Sequence, residues 1–520
     1  MKSLVTVLII LLITQTGFGQ DGSFDNTFGQ NGVQQFSIDT FNTRGAEIIY
    51  MPDSSILISG ACYHQQFGAQ FNRGLFLSKF LTNGSLDLSF GTNGTLFIPN
   101  GANGNSNLNS MVLLPDGNIL CHAVIDGNYV LFKINQNGVI DSTYGNNGIV
   151  NIDNAGWIAY QSTGKVIIVG HFFDGYNYLY HWSRYKNDGS IDSTFGINGI
   201  MQTSVTSYRF DLCHAIKVQA DNKIIAVGTS YESATQRRAV IVRINENGTF
   251  DNTFGNNGVV ITPIGANPGY AIYNDVDLLP DGKIMAGGII EYAGGTGGFG
   301  GTAPAVVKYN SDGTIDATYG NNGEVVLSTI NNANDYLRTI KTQADYKTII
   351  GGNASNPFPI MQSDYYLTRL DSNGNVDLTF GVNGAVLSDF DNAETNYVQD
   401  IVIQDDGKIL TIGSTKDTTN QFVRVVLCRF NNETLLTVDD IKQDDNFLLY
   451  PNPIINELTI STTKTPYDIT MYNSIGQIFY LAHSINESSK KYNVSTYNKG
   501  ILIIRIKNEK DIYYYKIVKN

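Results

Sequence analysis

Residues 251–258 read Asp251-Asn252-Thr253-Phe254-Gly255-Asn256-Asn257-Gly258. The same frame, Asp-x-[Ser/Thr]-[Phe/Tyr]-Gly-x-Asn-Gly, opens at Asp25, Asp87, Asp141, Asp192, Asp251, Asp316 and Asp377. Successive copies lie 62, 54, 51, 59, 65 and 61 residues apart. A period of this length marks a repeat architecture, in which each unit is one supersecondary element that stacks on its neighbours. Within the motif, Asp and Ser/Thr can bond nearby backbone amides and fix a turn. The glycines and the Asn tolerate left-handed backbone. The aromatic residues Phe28, Phe90, Tyr144, Phe195, Phe254, Tyr319 and Phe380 each bring a large apolar area to bury between units. A calcium site at the seven Asp is the weaker reading, since Asp in a repeated tight turn acts as a local cap.

The rest of each unit keeps one order. An apolar segment such as Ile401-Val402-Ile403 leads to a turn such as Asp405-Asp406-Gly407-Lys408. Asp-Gly between apolar runs is a hairpin signal. A strand follows, then a connection of variable length, a third strand, an Asn-Gly or Asp-Gly turn, the motif, and a fourth strand such as Val259-Val260-Ile261-Thr262. Four short antiparallel strands repeated around a ring predict an all-β, seven-bladed β-propeller. The last unit, 398–430, has three strands and no eighth motif, while the N-terminus has a motif and one strand, 33–37. The N-terminal strand is therefore expected to close the last blade.

Composition agrees. Of 520 residues, 42% are hydrophobic and 16% charged, with Gly 53, Tyr 30 and Phe 26 against Met 7. This excludes a disordered chain and favours short strands and tight turns over long helices. The net charge of −13 argues against nucleic acid as a partner. From residue 446 onward nine Lys or Arg face five Asp or Glu, a net +4 that leaves −17 for the rest. That sign change marks a separate C-terminal domain. Lys2, the apolar run 4–13 and the small residues Gly17 and Gly19 read as a signal peptide over 1–20. No later segment reaches the ~20 apolar residues of a membrane span. Cys62, Cys121, Cys213 and Cys428 are too dispersed for a disulfide framework.

The span 21–431 resembles the delta-60 repeat family of bacterial extracellular proteins, on the seven motif copies and the Asp-Gly-Lys-Ile turns. That resemblance implies fold and no shared catalytic residues. Residues 432–445 read as a polar linker. Residues 446–520 carry six or seven short strands, expected to form a small Ig-like β-sandwich. This tail resembles the type A C-terminal sorting domain of the Bacteroidetes type IX secretion system. The matching residues include Pro451, Asn452, Pro453, Gly476, Gly500, Lys516 and Lys519, with Leu502 where the family usually has Tyr. The resemblance implies export through the outer membrane with the secretion machinery as partner. It also implies removal of the tail near the linker, and release or surface attachment of the propeller.

Catalytic signatures are weak. Gly295-Thr296-Gly297-Gly298-Phe299-Gly300 matches a dinucleotide fingerprint but leads into a strand, not a helix. Cys121-His122 and Cys213-His214 lack zinc spacing. Trp157 and Trp182 are too few for a quinone-dependent dehydrogenase propeller. No cofactor or metal is expected. The favoured reading is a monomeric, secreted or surface-displayed binding propeller for a glycan or surface protein. The alternative is a polysaccharide-degrading or lyase-type enzyme with its site in the channel. The connections between second and third strands are long in units one, five and six, at 63–74, 291–302 and 353–364, with 415–421 in unit seven. These units adjoin in a closed ring, so the connections form a crescent on one face. Tyr63, Phe67, Phe71, Tyr292, Phe299 and Phe358 are the aromatics it offers a ligand.

Overall fold

Alternating apolar residues and Gly-based turns leave no run suited to a helix, and every regular element among the described residues is a strand. The computed structural model describes residues 20–66, 69–101, 106–154, 156–233, 236–264, 270–291, 301–327, 335–355, 362–390, 395–417, 422–432, 446–472, 478–495, 500–508 and 512–519. The leader reading at 1–20 lies almost wholly outside them. Two compact units result, Met1–Glu433 and Thr434–Asn520.

In the first unit the described strands form five four-stranded antiparallel sheets, each one blade, and one eight-stranded sheet in which two further four-stranded antiparallel blades are joined by a parallel contact of Ser363 with Thr395. The innermost strands are Asn42–Tyr50, Asn107–Leu113, Gly156–Tyr160, Asp211–Val218, Ala271–Leu278, Tyr336–Thr342 and Thr395–Ile403. Each touches the next, and the last touches the first, so the cycle is closed. Strand Val33–Phe36 supplies the outermost strand of the seventh blade, pairing Val33 with Cys428 and Phe36 with Val425. Apolar residues of adjacent blades share clusters; one joins Ile48, Ile58 and Phe76 of the first blade to Ile412, Val425 and Leu427 of the seventh.

The motif is the clasp between blades. In every copy the Gly, the Asn and the final Gly adopt positive φ, as at Gly29, Asn31 and Gly32. Asp25 Oδ1 accepts from the Thr27 amide at 3.0 Å and from its hydroxyl at 2.8 Å. Gly29 N donates to Asn83 O of the next blade at 2.8 Å, and Gly255 N to Asp312 O likewise. The aromatic ring is fully buried beneath that neighbour's turn; a Cβ on Gly313 would meet the Phe254 ring at 2.8 Å. The second carboxylate oxygen takes a cation from its own blade's third strand: Arg243 on Asp251 at 2.8 Å, Arg369 on Asp377 at 2.9 Å, Arg429 on Asp25 at 2.7 Å. Burial raises the carboxyls of Asp25, Asp251 and Asp377, but hydrogen bonds from the motif threonines and from Lys408, Lys223 and Lys347, with the arginine charge added, hold all three below the usual range. The N-terminal segment completes the last clasp, with Gly381 N donating to Asp21 O at 2.7 Å and Arg369 meeting the Asp21 carboxylate at 2.7 Å.

The second unit has two sheets, one of Phe447–Tyr450, Glu457–Thr462 and Ser489–Asn493, the other of Tyr467–Tyr472, Ile478–Ile485, Gly500–Lys507 and Ile512–Lys519. Phe447, Leu458 and Ile460 of the first share a core with Ile469, Leu502 and Ile504 of the second. Leu502, the departure from the family pattern, is buried there. Asn452 Oδ1 accepts from Val518 N at 2.8 Å and Lys519 Nζ donates to Ile455 O at 3.0 Å, so the Pro-Asn-Pro entry is tied to the last strand. Gly476 lies outside the described residues.

Candidate functional site

The channel wall is built by interruptions of the inner strands. Six of the seven break register where they pair with the second strand, skipping Ala46 and Glu47, Asn109, His214, Asn274, Arg338 and Gln399 in turn. Strand Gly156–Tyr160 keeps register throughout. A bulge leaves its extra residue unpaired and re-aims the side chain. Here the re-aimed residues, with Trp157, line two connected cavities of about 1020 and 660 Å³. The two share Ala46, Glu47, Trp157, Tyr336, Arg338 and Gln399.

Bulges also free backbone amides, and carboxylates of the preceding blade satisfy three of them. Glu47 accepts from Met111 N at 2.6 Å, Asp275 from Ile340 N at 2.9 Å and Asp400 from Ile48 N at 3.1 Å. An unsatisfied buried amide would cost about 1–3 kcal/mol, so these carboxyls join one blade to the next. Burial pushes the Glu47 carboxyl up to about 8, with the Asp400 charge adding to it. Burial likewise raises Asp400 to about 6 and raises Asp275. Asp277 is the exception: burial would raise it, but Lys217 at 3.6 Å and Lys341 at 3.5 Å hold it low. The channel floor thus gathers Asp275, Asp277 and Asp400 around Lys217.

The larger cavity has a different character. Arg44 stacks over the Tyr63 ring with 4.9 Å to its centroid, and Arg338 over Tyr397 at 4.6 Å. Trp157, Tyr336 and His171 add rings, and Asn107, Asn109 and Asn353 add amides. Burial lowers His171, so its imidazole is neutral at pH 7. Arg44, Asn107 and Tyr336 stand at the start of inner strands, beside Tyr63 and Asn353 near the ends of second strands. This cavity therefore opens on the face where second strands pass to third strands.

Of the six aromatics expected on the crescent, Tyr63 lies in this cavity wall, 6% exposed. Phe67, Tyr292, Phe299 and Phe358 lie outside the described residues, as does the side chain of Phe71. The segment 63–74 is mostly not a loop. Strands Ile56–Gln66 and Ala69–Phe80 run on as a hairpin arm, pairing His64 with Phe71 and Gln66 with Ala69. Residues 295–300 lie outside the described set. His122 and His214 each bond a carbonyl of the next blade through Nδ1, to Gly156 O and Tyr273 O at 2.7 Å, and burial lowers both. Their neighbours Cys121 and Cys213 are buried free thiols. No cluster of three metal-ligating side chains occurs among the described residues.

The residues that sequence reasoning missed are Arg44, Arg338, Tyr397 and the three linking carboxyls. A signal existed. Leu337-Arg-Thr-Ile340, Val398-Gln-Asp-Ile401 and Tyr273-Asn-Asp-Val276 each put two non-aliphatic residues between apolar ones, breaking the alternation of a strand.

Comparison with known proteins fits this architecture. A β-propeller domain of unknown function, DUF5122, matches residues 161–195, 219–254, 279–319 and 404–433. A secretion-system C-terminal sorting domain matches 448–520. The molecule is thus an exported β-propeller protein. More narrowly, it is a propeller carrying a type IX sorting tail, which directs it to the cell surface or extracellular space. No curated protein matches. Among solved structures it is similar to PorZ, an essential surface component of the type IX secretion system of Porphyromonas gingivalis, at 12% identity and TM-score 0.37. That match covers 96% of this chain, which spans 60% of PorZ. The polysaccharide lyase Uly1 matches at 10% identity and TM-score 0.48, covering 80% of this chain and 94% of the lyase. Virginiamycin B lyase from Staphylococcus aureus matches at 13% and 0.39, covering 76% and 98%. Those activities belong to those proteins.

Proposed function

We propose that this protein is a non-catalytic binding propeller that takes its ligand at the channel mouth and is displayed or released after its tail is removed. The observation that carries this is the cavity of about 1020 Å³ walled by Arg44 on Tyr63 and Arg338 on Tyr397, on the face of the variable connections. Concave sites with rings and a few convergent polar groups are the usual form of ligand pockets. Seven blades closed by the N-terminal strand give that mouth a rigid frame.

A second reading, a polymer-degrading or lyase-type enzyme, has one observation in its favour: Glu47 and Asp400 are raised carboxyls facing the channel. Raised carboxyls serve as general acids. Both, however, already accept amides of the neighbouring blade, which supports a role in joining blades. The test is a polysaccharide panel in which binding and product are measured together on the purified full chain. Binding without product, lost in Tyr63→Ala, is expected; formation of any product sinks the non-catalytic reading.

A further inference from the structure

The channel mouth holds positive charge that its own wall does not neutralise. Four arginines elsewhere in the propeller, Arg184, Arg243, Arg369 and Arg429, each pair with a motif Asp. Arg44 and Arg338 have no carboxylate partner among the described residues and rest only on tyrosine rings. Burial lowers Arg338, and the nearby charge of Arg44 pushes the same way, so the two guanidiniums feel each other. Arginine keeps its charge in such a recess and presents a planar fork that matches an oxyanion. The single acid in the wall of this cavity is Glu47, and its carboxyl, pushed up to about 8, is neutral at pH 7. The mouth is therefore locally cationic in a chain of net charge −13.

The remaining wall narrows the ligand class. Tyr336, Tyr397 and Trp157 supply ring surface, Tyr63 lies buried beneath Arg44 and holds it, and Asn107 and Asn353 supply amides; Leu108 is the one large aliphatic lining residue. That surface suits a hydroxyl-rich ring ligand better than an apolar one. An extended peptide would need a free strand edge. The inner edges are broken by bulges, and the amides of Ile48, Met111 and Ile340 are already taken. The volume lies at the upper end of the roughly 300–1,000 Å³ of ligand pockets, enough for several linked sugars.

We propose that the channel mouth binds an acidic saccharide, Arg44 and Arg338 gripping its carboxylate or sulfate groups while the tyrosine and tryptophan rings pack on its sugar faces. This rests on the mouth being the ligand site. The probes are tetragalacturonate, a sulfated galactotetraose and neutral galactotetraose, titrated calorimetrically into the full chain at pH 6.5 and low salt. At least one acidic tetramer should bind tenfold or more tighter than the neutral one, and which one binds identifies the oxyanion. Arg44→Gln with Arg338→Gln should bring it down to the neutral level with only a small drop in the unfolding midpoint, since each exposed side chain loses a stacking contact on tyrosine and no ion pair.

A pH series adds a readout that folding does not explain. Around Glu47 stand Asp400, Asp275, Asp277, Lys217, Lys341, Cys121, His171, His214 and the two arginines. Burial lowers both histidines and raises Cys121, so none of the three titrates between pH 7 and 9. Asp400, at about 6, is ionised throughout that window. Affinity for the acidic tetramer should fall several-fold from pH 7 to 9 as Glu47 ionises, and Glu47→Gln should flatten the curve. Equal affinity for neutral and acidic tetramers, lost in Tyr63→Ala, overturns the acidic class and leaves the mouth as the site. Acidic binding indifferent to both arginines overturns the proposal by placing the site elsewhere. No tetramer binding, in a chain that binds another polymer through Tyr63, overturns it alone; no binding through the mouth by anything overturns both readings.

Discussion

The seven motif carboxylates do the same job at different depths, so their removal should cost different amounts. Asp251 meets Arg243 Nε at 2.8 Å and Lys223 Nζ at 3.1 Å, and its Oδ1 accepts the Thr253 amide and hydroxyl. The Arg243 and Asp251 side chains are 6% and 4% exposed. Asp251→Ala leaves that guanidinium buried with its charge uncompensated. Breaking a buried pair this way costs about 3–5 kcal/mol. Arg243 keeps its stacking on Phe254 at 4.3 Å and its bond to Ser311 O, which favours the low end, about 3 kcal/mol. Asp141 is 26% exposed and pairs with Lys133 at 2.8 Å, a flexible amine that can turn to solvent. Its removal should cost about 1 kcal/mol. The turn bonds to Thr143 are lost as well, but Asp251→Ala loses the same pair of bonds, so they cancel in the difference. The gap of about 2 kcal/mol is roughly 30-fold in the unfolding constant. Trp157 and Trp182 both lie in the third blade, so tryptophan fluorescence in urea reports the propeller alone. Because the Asp251 carboxyl is held low, its contribution should be constant above the ordinary carboxylate range and fade only as pH falls below it. Equal losses in the two variants, or a larger loss for Asp141→Ala, would refute the burial argument.

The raised Glu47 carboxyl has the opposite pH signature: its folded form holds a proton that the unfolded chain releases above about 4.5, so stability should decline as pH rises toward 8. Glu47→Gln should therefore melt above the parent at pH 9, by roughly 2 kcal/mol, and near it at pH 5; a parent curve flat over that range in calorimetry counts against it. Deleting residues 21–37 removes strand Val33–Phe36, the Asp25 partner of Arg429 and one of the two carboxylate partners of Arg369, leaving an open edge on strand Val423–Phe430. The expected result is aggregated protein by size-exclusion chromatography, and a monodisperse truncation with the parent's melting point would show that closure does not need this segment. Deleting 446–520 should leave the propeller folded and held in the periplasm by cell fractionation, whereas a truncated form reaching the surface or medium would contradict the sorting role of the tail.

The architecture of this protein is written in local sequence. Asp-x-Thr-Phe-Gly-x-Asn-Gly specifies its own turn through side-chain bonds two residues away and three left-handed positions, so seven copies announce seven equivalent corners without any long-range information. The same locality made the tail legible, since Pro451 to Pro453 and the period-2 strands stand in order along the chain. The site was not legible in this way. Arg44 and Arg338 are 294 residues apart in sequence, and each looks like an ordinary polar residue in a strand. A register slip against the second strand re-aims Arg338, while Arg44 stays paired with Ala61, and only the closing of the ring brings the two strands to one cavity. The linking carboxyls are less visible still: Asp400 acts on Ile48, a contact that exists because the ring closes the seventh blade onto the first. Local hydrogen bonding fixed the corners, while long-range pairing decided which side chains face the channel and with what charge.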